Sequence, residues 1–134
     1  MPEQDHDQPT PSHTILIAED DAFLSRVLVD KLEKAHFQVI TAFDGEEALK
    51  KLSEGSVHLM ILDIIMPKKM GFDVLDEAKS NPATKNIPIL VLSNLGQDGD
   101  IEMAVKKGAS GYFVKSNISL VSVVEKVREC LAIT

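Results

Sequence analysis

The run Leu59-Met60-Ile61-Leu62-Asp63-Ile64-Ile65-Met66-Pro67 holds one carboxylate among eight apolar residues. Apolar side chains at consecutive rather than alternate positions fit a strand buried on both faces, as in a parallel sheet covered by helices. Pro67 closes the run, so the strand delivers Asp63 to its carboxyl-terminal edge. An aspartate there, taken singly, needs no more than a turn to explain it. Three other apolar runs, however, also end in reactive polar groups: Leu16-Ile17-Ala18 in Glu19-Asp20-Asp21, Ile89-Leu90-Val91-Leu92 in Ser93, and Tyr112-Phe113-Val114 in Lys115. In an open parallel sheet these ends share one edge, where ligands bind near the point at which strand order reverses.

Outward from that strand the chain alternates. Thr14 to Ala18 reads as a strand, and Ala22 to Ala35 as a helix with Phe23, Val27, Leu28, Leu32 and Ala35 at helical spacing. Phe37 to Thr41 is a second strand. Asp44-Gly45-Glu46-Glu47 has the form of a capping box, opening a helix that ends near Gly55. His58 to Leu62 is the central strand, and a helix from Gly71 or Phe72 to about Ser80 is stopped by Asn81-Pro82. Ile87 to Leu92 makes strand four, the loop Asn94 to Asp100 should be mobile, and a helix runs from about Asp100 to Lys107. Gly111 to Val114 is strand five. Ile118 to Ala132 closes the chain as an amphipathic helix, with Leu120, Val121, Val124, Val127 and Leu131 inward. Five such pairs predict an α/β fold, a (βα)5 doubly wound parallel sheet in order 2-1-3-4-5, with its switch point between strands one and three.

A chain of 134 residues suits one domain. Residues 1–13 contain three prolines and little to bury, so they read as a disordered tail before a domain at 14–134. The formal net charge of -7 argues against a general nucleic-acid or acidic-membrane surface and suits a site that attracts a cation. A single cysteine, Cys130, excludes an internal disulfide and agrees with a reducing compartment. No apolar run reaches the roughly 18 residues of a membrane span, and no signal pattern opens the chain. The expected location is cytoplasmic.

Glu19, Asp20 and Asp63 should meet at the switch point, and three carboxylates brought together need a cation. Oxygen donors without thiolate or imidazole select Mg²⁺, with Mn²⁺ as a substitute. A carboxylate held beside such an ion can attack phosphorus and form an aspartyl phosphate. Lys115 can supply an ammonium and Ser93 a hydroxyl to the phosphoryl oxygens. Singly, the acids also fit a helix amino terminus, Ser93 a turn, Lys115 a solvated strand end and Tyr112 a half-buried strand aromatic. Their joint placement is what favours a site.

On Ile15-Leu16-Ile17-Ala18-Glu19-Asp20-Asp21, Leu62-Asp63-Ile64-Ile65-Met66-Pro67 with Gly71-Phe72-Asp73-Val74-Leu75, Val91-Leu92-Ser93, and Gly108-Ala109-Ser110-Gly111-Tyr112-Phe113-Val114-Lys115, the sequence resembles the receiver domain of bacterial two-component response regulators, especially the stand-alone chemotaxis type. The resemblance implies a flavodoxin-like receiver fold and a signalling switch rather than an enzyme. Asp63 would be the phosphoacceptor, supplied by a histidine kinase or phosphotransfer protein. Asp20, Asp63 and the backbone carbonyl of Ile65 would bind Mg²⁺, with Glu19 acting through water. Ser93 and Lys115 would hold phosphoryl oxygens, and Tyr112 would turn inward as Ser93 moves. The face made by helix four, strand five and helix five would then gain or lose a downstream protein, in a monomer or a weak phosphorylation-dependent dimer.

Some positions depart from the family pattern. Lys115 precedes Ser116 where a cis proline is usual. A cis bond there would cost about 2.5–4 kcal/mol, which predicts a trans turn and a different aim for Lys115. Ile65 and Leu95 are apolar where many relatives are polar, and Asn94 replaces a small residue, so loss of the phosphoryl group should be slow. Lys68-Lys69 offers a contact for an acidic donor or partner. A phosphohydrolase would need an acid where Ile65 stands, and a flavin carrier a Ser/Thr/Gly phosphate loop where Glu19-Asp20-Asp21 stands. A receiver excised from a longer regulator or hybrid kinase fits the sequence as well as a single-domain protein does.

Overall fold

A computed structural model describes residues 13–94 and 98–133. Strands β1 (Thr14–Ala18), β2 (Gln38–Ala42), β3 (Leu59–Asp63), β4 (Ile89–Ser93) and β5 (Gly111–Val114) form one parallel sheet in the order β2-β1-β3-β4-β5. This is the expected doubly wound order, and β1 and β3 pair directly, with Ala18 opposite Leu62. Every residue of β3 and β4 is buried. Burial of each Val, Leu or Ile stabilises by about 1.5–3 kcal/mol against exposure, an upper figure because the unfolded chain is already partly compact. That apolar surplus lets the strands carry Asp63 and Ser93 at their ends.

Helices α1 (Ala22–Lys34), α2 (Gly45–Ser53), α3 (Gly71–Ser80), α4 (Asp98–Lys106) and α5 (Leu120–Cys130) divide between the faces. Alternation along the strands sends Ile15, Ile17, Leu59 and Ile61 to one core with Leu28 and Leu32 of α1 and Val123, Val124 and Val127 of α5. Leu16, Ala18, Met60 and Leu62 face the other, with residues of α2, α3 and α4. Asp21 caps α1 by accepting from the Phe23 and Leu24 amides at 3.0 and 3.2 Å. The box at Asp44 closes both ways: Glu47 N–H donates to Asp44 and Phe43 N–H to Glu47, each at 2.8 Å.

The differences from expectation are local. Phe37 leaves β2 because its N–H turns back to the Leu32 carbonyl at 3.1 Å, after His36 at φ 74°. Ile87 is likewise tied into a turn by Thr84, so β4 begins at Ile89. α4 begins at Asp98 rather than Asp100, and the expected mobile loop falls partly on residues 95–97, outside the described residues. Phe23 does not face the core: it is 78 % exposed, because the Asp21 cap fixes the phase of the first turn. Val121 is also exposed and Val123 takes its place inside. The disorder expected over 1–13 concerns residues outside the description except His13, whose carbonyl accepts from Gln38 N–H at 3.0 Å. The turn after Val114 is a single 3-10 turn, Lys115–Asn117.

Candidate functional site

The pairing of Ala18 with Leu62 sets Glu19 beside Asp63, and the pairings of Asp63 with Leu92 and of Ser93 with Val114 carry Ser93 and Lys115 to the same edge. Glu19 and Asp63 are 1 % and 3 % exposed, whereas Asp20 is open to solvent. One carboxylate oxygen from each of the three lies within 4.8 Å of the others.

Two backbone amides fix how these acids point. The Asp21 N–H donates to Glu19 Oε2 at 3.0 Å, and the Ile65 N–H to Asp63 Oδ1 at 3.2 Å. Lys115 Nζ stands 2.8 Å from Glu19 Oε1 and 3.0 Å from Asp63 Oδ2. The expected misdirection of Lys115 therefore does not occur. Among the described residues no peptide bond is cis, and the 3-10 turn nevertheless carries the ammonium between the two carboxylates. Attraction to two buried charges outweighs the missing proline.

Burial pushes the Glu19 carboxyl up to about 7, against the opposing Lys115 ammonium and Asp21 amide and with a further upward push from Asp63. Burial pulls Lys115 down, yet Glu19 and Asp63 together hold it above its ordinary range. One ammonium does not balance this cluster. Glu19 Oε1 is buried and, although the Lys115 ammonium is 2.8 Å away, accepts no hydrogen bond among the described residues. An underpaired buried oxygen among three carboxylates fits a hard divalent cation, and the absence of thiolate or imidazole fits Mg²⁺ or Mn²⁺.

Ser93 is fully buried and shares a side-chain hydrogen bond with Tyr112. Burial raises the Tyr112 phenol, which the Ser93 bond opposes, and the ring packs against the core that holds α2, α3 and α4. The Ile65 side chain is 50 % exposed beside Asp63. Lys68, at φ 69°, reaches Asp44 at 3.7 Å, while Lys69 pairs with Glu77.

Two features of the site lie beyond the sequence reading. The Asp21 amide that orients Glu19 depends on Asp21 being the N-cap, a position the third acid of the run could have signalled. The loop after Asp63 is also clamped: Gly71 N–H donates to the Ile64 carbonyl at 2.6 Å, and a Cβ at Gly71 would run into the backbone of Asp63 and Ile64. A second clamp is Gly45, whose Cβ would strike the Lys69 carbonyl.

Residues 15–128 match the family model for the response regulator receiver domain. The transcriptional regulatory protein CpxR of Escherichia coli K12 is 39 % identical over 101 residues, which is 75 % of this chain and 42 % of that one. A crystal structure from Chloroflexus aurantiacus superposes with TM-score 0.84 at 30 % identity, covering 90 % of this chain and 98 % of that one. The Mn²⁺-bound form of response regulator Rcp1 superposes with TM-score 0.76 at 30 % identity, covering 87 % and 92 %. The chain spans about half or less of the length of the curated relatives it matches.

Proposed function

This chain belongs to the response regulator receiver-domain family of two-component systems, and from that we propose that it is a phosphoacceptor switch that takes a phosphoryl group on Asp63. The observation that carries the reading is the buried Asp63 carboxylate held between the Ile65 amide and the Lys115 ammonium, within 4.8 Å of Glu19 and Asp20. Asp20, Asp63 and the Ile65 carbonyl would hold Mg²⁺ or Mn²⁺, with Glu19 acting through water. When bound, the ion neutralises charge that builds on the phosphoryl oxygens. It also has a precedent in the Mn²⁺-bound form of Rcp1.

In the transfer, an Asp63 oxygen attacks phosphorus of a phosphohistidine. The O–P bond forms, the P–N bond breaks, and the released imidazole nitrogen takes a proton. The donor is a histidine kinase or phosphotransfer protein. The Ile65 amide keeps the carboxylate oriented, and Lys115 exchanges an Asp63 oxygen for a phosphoryl oxygen. Ser93 gives up Tyr112 to donate to the phosphate, and Tyr112 moves inward. These changes bias the face of α4, β5 and α5, where Met103 and Val105 are already exposed, toward or away from a downstream protein.

The unit formed by residues 14–134 acts in the cytoplasm as a monomer or a weak phosphorylation-dependent dimer, without direct nucleic-acid or membrane contact. Among the described residues no helix is long and apolar enough to cross a membrane. The turnover of the group on Asp63 is a self-catalysed step of a switch rather than the work of an enzyme on a separate substrate. Intact mass after incubation with acetyl phosphate tests this. One phosphoryl group should be gained with Mg²⁺, and none with EDTA or in Asp63→Asn. Equal gain in Asp63→Asn would overturn the assignment.

A further inference from the structure

The acceptor loop, residues 64–70, leaves β3 at Asp63 and meets α3 at Gly71. Its near half is tied to the site, since the Ile65 N–H donates to Asp63 Oδ1 and the Gly71 N–H to the Ile64 carbonyl. Its far half, Pro67 to Lys69, is seated on a different element. The Gly45 N–H donates to the Pro67 carbonyl at 3.3 Å, and the same carbonyl accepts from the Lys69 N–H at 2.8 Å. Lys68 Nζ stands 3.7 Å from Oδ2 of Asp44, the N-cap of α2. The first turn of α2 is thus a platform for this half of the loop.

Gly45 has no conformational reason to be glycine. It is the first residue of α2, its φ lies outside the left-handed region, and alanine is the better helix former. What the position lacks is room: Gly45 is buried, and an added Cβ would overlap the Lys69 carbonyl oxygen. That obstacle is backbone, so it cannot swing aside as a side chain would, and the loop itself would have to move. Lys68 meanwhile holds φ 69° without being glycine, a conformation that persists where the surroundings impose it. Gly45 and Asp44 are among those surroundings.

We propose that Gly45, on an element that carries no ligand, is a positioning residue for the divalent cation. By letting α2 close onto Pro67 to Lys69 it fixes the loop path that presents the Ile65 carbonyl to the ion and the Ile65 amide to Asp63. The inference rests on the metal site of the proposed function. It adds that ion affinity and the seating of the loop on α2 are one linked equilibrium: an ion that prefers the seated loop must in turn protect the seat.

Mn²⁺ titration of the full chain, with the free ion read by electron paramagnetic resonance, tests it. Gly45→Ala should raise the dissociation constant at least about tenfold, as loss of a support behind a metal ligand does. Lys50→Gly weakens α2 at an exposed position away from the Gly45 contact, and should bind as the wild type does. In the wild type, Mg²⁺ should slow amide exchange at Gly45 more than at Thr84, whose N–H closes a turn between α3 and β4. That comparison needs no variant, so it reads out even if Gly45→Ala folds poorly. Wild-type affinity in Gly45→Ala, an equal loss in Lys50→Gly, or a Gly45 amide indifferent to Mg²⁺ would overturn the proposal. Asp20→Asn separates the two readings. If it loses the ion while Gly45→Ala keeps it, the role of Gly45 fails alone; if it binds as tightly as wild type, the metal site fails and this inference with it.

Discussion

Asp63 and Glu19 meet at the end of the apolar interior with, among the described residues, one ammonium between them, so under the proposed function Lys115 would have two tasks. It offsets charge in the resting protein and would receive phosphoryl oxygen after transfer. Replacing it with methionine leaves two buried carboxylates facing each other. Without metal, Lys115→Met should cost about 3 kcal/mol in urea unfolding, the low end for a broken buried pair, since the side chain is 17 % exposed. Phosphoryl gain from acetyl phosphate should slow about a hundredfold, as for loss of one charged donor. An unchanged rate would remove Lys115 from the chemistry. Ile65 acts in the opposite sense. Its half-exposed butyl group gives an attacking water nothing to bond to, so the aspartyl phosphate should persist. Ile65→Asn should shorten its half-life at least about tenfold, measured by decay of the phosphorylated mass. A wild-type half-life of only seconds would contradict this reading. Lys115 was legible in the sequence as a residue but not in its aim: a local rule about the following proline was overridden by two buried charges that are distant in sequence.

At the level of single elements, caps decide where side chains go. The spacing of Phe23 and Val121 is helical, but periodicity does not fix which residue opens the first turn. Asp21 and Ser119 do, and they rotate both side chains outward. The capping box of α2 was readable because both partners lie four residues or fewer apart. Its Glu47 titrates below the ordinary carboxylate range, held down first by the Phe43 amide, against burial, with help from Lys51. A carboxyl with a lowered folded pKa contributes stability above about 4.5, its unfolded value, and that contribution is lost as pH falls through the folded value. Glu47→Gln keeps the acceptor and loses the charge. Its unfolding free energy in urea should lie slightly below wild type at pH 7, by about 0.5 kcal/mol or less for so exposed an ion pair, and the gap should close as pH falls through the lowered folded value. A gap that widens toward acid would reverse the assigned sign.

Across the whole molecule, the alternation of buried strands and amphipathic helices made the sheet order readable, because right-handed crossovers leave few alternatives. The carboxylates, Ser93 and Lys115 followed from that order, since strand ends share an edge. The clamp of Gly71 on the Asp63 backbone and the partners of α1 and α5 did not, since they arise from packing between elements distant in sequence. A divalent cation held at this edge, as proposed, would make stability depend on the ion. Ions that bind only the folded site stabilise it by about 2.7 kcal/mol at a hundred times the dissociation constant. Mg²⁺ should therefore raise the melting temperature of the wild type, and Asp20→Asn should lose most of that rise while still folding, because Asp20 is exposed. Equal rises in both proteins would place the ion elsewhere. The most direct measurement locates the phosphoryl group itself: borohydride reduction of the phosphorylated chain, which converts an acyl phosphate to an alcohol, followed by peptide mass analysis. Conversion confined to Asp63 is the predicted result. Conversion at Asp20 or Glu19, or at no carboxylate despite a gained phosphoryl mass, would contradict the assignment of Asp63 as acceptor.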